Sequence, residues 1–510
     1  MTITAHRTAP PARAGRREWA ALAVLLLPTL LVTIDNTVLG FALPAISAAL
    51  SPSATQLLWI VDVYPLVLAG LLVTMGTLGD RVGRRRTLLV GVGGFGAVSL
   101  LAAFATDAAH LVAARALLGF FGAMLMPATL ALLRTLFRDR AQRRLAVAVW
   151  ATGFAAGSAL GPIVGGLLLQ HFWWGSVFLV NVPVMLVLLG LAPALLPESR
   201  MPHPGRLDPL GVLLSLLTMA PAVLSVKLIA HDGITPVAVL ALLVSAVAGV
   251  LFVRRAEARR AAGEEPLLDV TLFASPVLRF SALANATTMF ALTGLLFFSA
   301  QYLVLVQGLA PMDAGLVLLP GFVVTMLAGL AAARLGRLFP LRVLVTAGLL
   351  LAASGYLLCT LLGTGPSVAV LLAASVLVGA GIGLSETITN DAILAAAPAD
   401  RAGAASAVSE TAYEIGAVLG TAVLGSVLSA AYRGGVDVPS SVGPTYAATA
   451  RETLGGAVGI AHRLTGAPAA ELLDSARAAF TGAVGITVLT GTAVLLLVAL
   501  TVFAGLARSR

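Results

Sequence analysis

The sequence predicts an all-α integral membrane fold of fourteen transmembrane helices, arranged as two six-helix bundles with two further helices inserted between them. Three observations carry this expectation. The 510 residues are 59% hydrophobic and only 11% charged, well outside the composition of soluble domains. Apolar runs of roughly 20 residues recur from one end to the other, each long enough to cross a hydrocarbon core of ~30 Å. A Gly/Arg-rich segment that closes the second run also returns, with the same internal spacing, at the close of the tenth.

Residues 1–18 read as a cytoplasmic tail carrying Arg13, Arg16 and Arg17, and the run behind them, at about 19–44, is too long for a signal peptide and holds Asp35. It therefore stays as the first span. Five more runs, at about 56–76, 87–105, 109–133, 146–169 and 174–196, complete a first bundle over residues 19–200. Two runs at about 208–229 and 236–253 form the insertion, residues 201–275. Its tail, 254–275, carries Arg254, Arg255, Arg259, Arg260, Glu264 and Glu265 and reads as a cytoplasmic surface helix. Six runs at about 276–305, 315–333, 343–362, 367–390, 404–431 and 480–507 make a second bundle over 276–510. One long external loop, 432–479, interrupts it, and the end of that loop from Ala469 to Ala479 reads as helical. None of the runs alternates polar and apolar residues as a barrel strand must, so the spans are helices and an even number of them places both termini on one side.

The formal charge of +9 is a topology signal, not a nucleic-acid footprint. Arginines concentrate in alternate loops: Arg81, Arg84, Arg85 and Arg86, then Arg134, Arg138, Arg140, Arg143 and Arg144, then the 254–260 cluster. That bias places the arginine-rich side in the cytoplasm. Cys359 is the single cysteine, which excludes an intrachain disulfide and a thiolate metal cluster, and six scattered His residues offer no metal-ligand spacing. No nucleophile with an adjacent base appears, so an enzyme is not expected and neither is a cofactor.

Gly76, Asp80, Arg81, Gly83 and Arg84 recur as Gly329, Ala333, Arg334, Gly336 and Arg337, so the two halves share a plan of the kind on which transporters rock. Ionisable groups inside apolar runs cost ~2.5 kcal/mol or more and are functional candidates by default. They are Asp35, Asp62, Arg115, Glu386, Asp391, Glu410 and Glu414, with Lys227, the sole lysine, at the end of the seventh run. Asp35 lies ~24 Å along its helix from Trp19 and Asp62 ~9 Å into a helix of opposite direction, so the two share a depth in the outer half. Glu410 and Glu414 are four apart, which puts both on one face, where mutual repulsion favours a proton held between them. An alternative role for any of these acids is pairing with Arg115 or capping a broken turn. The fifth run carries Gly153, Gly157, Gly161 and Gly165, a stripe that lets a second helix approach closely; Pro162 and Gly166 in the same stretch suggest a bend where the bundles meet. Trp59, Trp150, Phe290, Tyr302 and Tyr413 are candidates for an aromatic wall, each with packing as its alternative.

These residues resemble the major facilitator superfamily, and within it the fourteen-span drug:proton antiporters of the QacA type, with wording also similar to LfrA-type pumps. The resemblance covers nearly the whole chain. Its signatures match Asp35, Thr37, Val38, Leu43 and Pro44 in the first run, and Gly76, Leu78, Asp80, Arg81, Gly83, Arg84 and Arg85 after the second. They match Arg115, Gly119 and Gly122 in the fourth run, and Gly157, Gly161, Pro162, Gly165 and Gly166 in the fifth. Ser409, Glu410, Thr411, Tyr413 and Glu414 match an acidic element of the thirteenth. Two departures stand out: Trp174 is followed by Gly175 where the family has arginine, with Phe178, Asn181 and Pro183 retained, and the tenth run holds neutral Thr325 and Met326 where an acid can occur.

The resemblance implies proton-coupled export of hydrophobic, often cationic molecules from a bacterial cytoplasmic membrane, with protons as the coupling ion and a monomer as the unit. It implies that Asp35 and Arg115 form a proton-linked pair, that Asp80 and Arg84 latch the cytoplasmic ends, and that Glu410 and Glu414 face the cavity. Asp62, Trp59, Phe290, Tyr302 and Tyr413 complete the expected substrate contacts. A dedicated exporter of an endogenous antibiotic or lipid, and a transport-derived sensor, are the competing expectations.

Overall fold

The computed structural model describes residues 13–50, 52, 54–200, 208–264, 266, 273–365, 367–396, 402–464 and 466–507, and no strand occurs among them. The first half comprises α1 (Arg16–Leu50), α2 (Ala54–Val82), α3 (Arg84–Ala103), α4 (Ala108–Leu136), α5 (Arg140–His171), the single turn α6 (Ser176–Leu179) and α7 (Asn181–Leu195). A hairpin of α8 (Pro209–Asp232) and α9 (Pro236–Ala261) follows. The second half starts with α10 (Pro276–Gln301), extended by a π turn at Tyr302–Val306, then α11 (Pro311–Leu335), α12 (Leu341–Leu358) and α13 (Ala369–Ala396). A π turn at Gly420–Leu424 joins α14 (Ala402–Leu419) to α15 (Gly425–Gly435), and α16 (Pro444–Glu452), α17 (Leu454–Ala461) and the long α18 (Ala467–Ala507) complete the chain.

Local chemistry sets several helix starts. The carboxylates of Asp107, Asp139 and Asp208 accept from the backbone N–H of His110, Gln142 and Gly211, and Thr235 caps α9 in the same way. Proline opens α8, α9, α10 and α11, where its missing N–H has no partner to lose. Among the described residues twelve helices are long and apolar enough to cross a membrane, or thirteen if bent α2 counts as one span. The expected count of fourteen is not reached by that measure; α5, which carries the fifth expected run, is not among them.

Two hydrophobic cores form, one from residues of α1 to α7 (Leu25, Phe95, Phe137, Phe178) and one from α10 to α18 (Phe298, Tyr356, Phe480). Lipid supplies no hydrophobic drive between helices, so close approach at small residues matters most. The α5 glycine stripe lies on α1: a Cβ added to Gly157 would sit 2.9 Å from the Leu30 carbonyl oxygen, and one on Gly161 would sit 1.8 Å from Thr37 Oγ1. The second half repeats the device, with Gly416 of α14 and Gly420 of the following π turn against the Ala286 and Phe290 carbonyls of α10. The second helix that the stripe admits is therefore α1, inside the same bundle. Gly166 is the residue of that stretch that meets the other half, where an added Cβ would lie 3.0 Å from the Met312 backbone nitrogen of α11. The side chain of Pro162 lies outside the described residues, as do those of Pro44 and Lys227. Gly161→Leu is expected to overpack α1 by well over the ~1–3 kcal/mol usual for an added methylene or two. The variant should purify poorly and melt far below the wild type, whereas an unchanged melting temperature would disprove this packing.

The inserted hairpin has two unequal members. α8 packs on α2, where Ser215 Oγ donates to the Gly70 carbonyl at 3.0 Å, and joins Leu66, Val223, Val418 and Ala422 in a small core that touches both bundles. α9 leans on α8 and presents Leu240, Leu243 and Val247 outward. Its C-terminal end is clamped by Asp208, which accepts from Arg255 Nε at 2.8 Å and lies 3.7 Å from Arg259. Arg254, Arg255, Arg259 and Arg260 thus ride on the last turns of α9. The separate surface helix expected over 254–275 is absent from the described part of that segment, because this clamp keeps the arginines on the span itself. Between α15 and α18, α16 and α17 fold into the second core through Ala450, Leu454, Ala457 and Ile460, and residues 469–479 are the start of α18.

Candidate substrate cavity and buried charge site

Asp35 of α1 and Arg115 of α4 meet in the first core, with side chains 0% and 1% exposed. Arg115 Nη1 donates to Asp35 Oδ2 at 2.5 Å, its Nε donates to the Ile60 carbonyl at 3.1 Å, and its guanidinium lies 4.5 Å from the centre of the Tyr64 ring. The glycines of the same signature make this possible: a Cβ on Gly119 would stand 2.6 Å from the Tyr64 carbonyl oxygen, so only glycine lets α4 approach α2 this closely. Asn181 Nδ2 completes the site, donating to the other Asp35 oxygen and to Ser99 Oγ, both at 3.2 Å. The sequence showed Asn181 as a retained family residue but gave it no partner.

At the arginine-rich end of α2, Arg84 Nε donates to Asp80 Oδ1 at 2.8 Å, and the Arg84 N–H donates to the Ser199 carbonyl. Gly83 has φ of 121°, a left-handed conformation that suits glycine, and a Cβ there would lie 2.6 Å from Glu198 Oε1. Glu198 in turn accepts from the Arg85 N–H at 3.1 Å. Gly76 rests on Pro127 and Arg81 sits in the last turn of α2. Glu198 carried no spacing signal, because it reaches the motif from more than a hundred residues away.

A cavity of about 1310 Å³ lies between the halves, bounded by α1, α4, α5, α10, α11, α13 and α14. It opens where α4 ends, α5 begins and α11 ends, at Arg134, Arg143, Arg334 and Arg337, so its mouth is on the arginine-rich side. The sequence repeat Gly329, Ala333, Arg334, Gly336 and Arg337 lines this mouth, and with Ala333 in the place of Asp80, Arg337 has no carboxylate four residues back. Deeper in stand Glu386, Glu410 and Glu414, the last two ~12 and ~18 Å along α14 from its start. Trp150, Phe154, Phe322, Met326 and Tyr413 supply apolar wall. Among the described residues no basic side chain is ion-paired with any of the three glutamates. Tyr413 accepts from Asn390 Nδ2 at 2.5 Å, Ser409 Oγ donates to Asn390 Oδ1 at 2.6 Å, and Asn285 Nδ2 donates to Ser409 Oγ at 2.9 Å. This chain of bonds ties α13 and α14 to α10 beside the acids.

The structure brings Glu410, Glu414, Tyr413 and Trp150 to one cavity and adds Glu386 to them. It does not bring Asp62, Trp59, Phe290 or Tyr302 there. Asp62 is buried in the first bundle, Trp59 packs under α8, and Phe290 belongs to the second core. Tyr302 is buried with its hydroxyl donating to the Gly363 carbonyl at 2.8 Å. Each is held by helix packing that the sequence could not distinguish from a cavity wall.

Comparison with known proteins agrees with this architecture. The chain is 53% identical over 480 residues to the multidrug efflux pump LfrA of Mycolicibacterium smegmatis, a match covering 94% of each protein. It is 36% identical to the methyl viologen resistance protein SmvA of Salmonella typhimurium over 97% of this chain and 99% of that one. Among solved structures, a bacterial homolog of the human lysosomal transporter Spinster in an inward-facing, occupied conformation aligns with a TM-score of 0.63 and 18% identity, covering 97% of both chains, which shows a common fold. The model of the Major Facilitator Superfamily matches residues 25–421, most of both halves, and the chain belongs to that superfamily.

Proposed function

We propose that the protein is a fourteen-span, proton-coupled antiporter that exports hydrophobic, often cationic drugs and dyes across the bacterial cytoplasmic membrane, with both termini in the cytoplasm. The observation that carries this reading is the set of three carboxylates without a basic partner inside a cavity of about 1310 Å³ with an aromatic and apolar wall. Such a wall accepts many shapes, and the negative charge selects cations. Protons and cations then compete for the same carboxylates: an arriving cation displaces protons held among Glu386, Glu410 and Glu414, and protons arriving from outside displace the cation. Asp35, locked to Arg115, can take a proton only as that pair loosens, which links protonation to the packing of α1 on α4. No cofactor enters this scheme, no catalytic step is needed, and a monomer suffices.

The named activities of the relatives support multidrug export. Tetracenomycin C resistance and export protein of Streptomyces glaucescens, 33% identical over 95% of this chain, keeps a dedicated antibiotic exporter as the second reading. Purified protein in liposomes distinguishes them. An outwardly directed proton gradient, with the lumen acidic, should drive accumulation of several unrelated cationic dyes, and a protonophore should abolish it. Transport of one compound alone would favour the dedicated exporter, and binding without flux a sensor.

A further inference from the structure

The thirteenth expected run is one span by length but two helices by structure. α14 carries Glu410 and Glu414, α15 follows it, and the π turn Gly420–Leu424 stands between them. A π turn bonds residue i to i+5 and so holds about one residue more than an α turn, an arrangement found mostly at functional points of a helix.

The packing changes at the same place. From the turn onward, Leu424, Leu428 and Tyr432 belong to the second core, and the Tyr432 hydroxyl donates to the Ala450 carbonyl at 3.0 Å. Before the turn, Val408 and Ala412 pack in a separate small cluster with Leu278 and Ile393, and Val418 packs with Leu66 of α2 and Val223 of α8. The bonds among Asn285, Asn390, Ser409 and Tyr413 hold α14 to α10 and α13, whereas α15 lies on α18 and α8. The π turn therefore divides a half fixed to the cavity wall from a half fixed in the core.

Thr293 of α10 sits at this division and lines the cavity. Its Oγ1 lies 3.1 Å from the Ala417 carbonyl oxygen of α14, three residues after Glu414, and 2.9 Å from the Met289 carbonyl oxygen of its own helix. One hydroxyl proton has two acceptors, so the bond to α14 can be released without leaving the donor unsatisfied. Gly420 makes the approach possible: a Cβ there would collide with Thr293 Oγ1 and stand 2.5 Å from the Phe290 carbonyl oxygen.

We propose that the π turn is the hinge on which the acid-bearing α14 tilts against α15, and that Thr293 is the positioning residue that sets Glu414 in the cavity through the Ala417 carbonyl. This rests on the exporter reading above and adds the joint by which its acids move. With the bond to Ala417 made, α14 is drawn onto α10 and its carboxylates meet the cargo. With the hydroxyl turned to Met289, the π turn is free to flex and the carboxylates leave their places around a bound cation. Val223 of α8, seated on Ala422 of the turn, gives the inserted hairpin a part in this device as the brace behind the hinge.

The test uses tetraphenylphosphonium and its uncharged relative triphenylphosphine oxide. Thr293→Val keeps the shape and removes the donor, and should weaken tetraphenylphosphonium binding by roughly fivefold, the worth of about one hydrogen bond, with binding of the uncharged ligand unchanged. Thr293→Ser should restore the wild-type value. Deleting Thr421 takes the additional residue out of the π turn and leaves a regular helix. That variant should bind tetraphenylphosphonium as the wild type does but export it from proteoliposomes about tenfold more slowly, because the step lost is the movement and not the binding. In the wild type, amide hydrogen exchange across residues 417–424 should slow when tetraphenylphosphonium binds, and Thr293→Val should lose that response. Equal weakening of both ligands by Thr293→Val would reduce Thr293 to a packing residue, and wild-type export by the deletion variant, or exchange at 417–424 indifferent to the ligand, would overturn the hinge. If the deletion variant does not assemble, the exchange comparison decides. Failure of the wild type to bind or export tetraphenylphosphonium would instead remove the exporter reading on which the hinge depends.

Discussion

Asp35→Asn is expected to abolish pH-driven export and, in the same variant, to lower the stability of the protein. The first effect follows from removing a protonatable carboxyl at the contact of α1 and α4. The second follows from what remains: Arg115, 1% exposed, keeps its charge and its bond to the Ile60 carbonyl but loses its counter-charge. Breaking one side of a buried pair costs about 3–5 kcal/mol. The resemblance implied the pairing of Asp35 with Arg115; the structure adds Asn181 on the other carboxylate oxygen and buries the whole site, so even a near-isostere disturbs folding. The double variant Asp35→Asn with Arg115→Gln separates the two effects, since it removes both charges. Its melting temperature in detergent should recover towards the wild type while export stays absent. Wild-type export by the single variant, at matched protein level, would show that Asp35 carries no coupling proton.

The parts of this molecule that were legible in the sequence are those written in short-range spacing. Apolar runs gave the helices, and glycines four apart gave the face of α5 that touches another helix. Which helix it touches is a long-range fact: spacing shows that a partner can approach, and only the packing shows that the partner is α1. The same limit explains Glu386. It was visible as an acid in a span, but it sits on α13, and only the packing of α13 beside α14 brings it to Glu410 and Glu414. Ser99, Asn181 and Glu198 likewise act on partners more than eighty residues away. Aromatic residues carried the least information. Trp150 and Tyr413 line the cavity and Phe290 and Tyr302 do not, although nothing in their local sequence separates them, because a span buries an aromatic ring equally well against a helix or a ligand.

The halves share a packing device but divide the chemistry. α5 lies on α1 through Gly157 and Gly161 as α14 and the π turn after it lie on α10 through Gly416 and Gly420. In the first half Asp35 and Arg115 form a closed pair away from the cavity, and Asp62 is also buried outside it. In the second, the corresponding region holds a neutral network of Asn285, Asn390, Ser409 and Tyr413, and the carboxylates beside it face the cavity. Both bundles wall the cavity, but the carboxylates that face it come from the second alone.

Neutralising the cavity acids one at a time should therefore reveal unequal shares of cargo binding. A cation about 4–8 Å from a carboxylate at an effective dielectric near 20 gains roughly 2–4 kcal/mol, so losing one such contact should weaken cation binding by about one to two orders of magnitude after partial compensation by the remaining acids. Glu414→Gln and Glu386→Gln, which remove partly exposed cavity carboxylates, should show most of this loss. Glu410→Gln should be milder, because Glu410 is 6% exposed, one turn nearer the mouth, and acts chiefly by keeping a second negative charge beside Glu414. Uncharged substrates, which gain nothing from the carboxylates, should bind all three variants alike. Binding titrations of a cationic and a neutral ligand, with the protons released on binding counted in weakly buffered solution, measure both halves of the expectation. Cation binding by Glu414→Gln should release fewer protons than in the wild type. Undiminished release would take Glu414 out of the exchange, and if Glu386→Gln also released its full complement, the proton would have to come from the Asp35 pair, moved by the cargo through the packing of α1 against the cavity and not by contact with it.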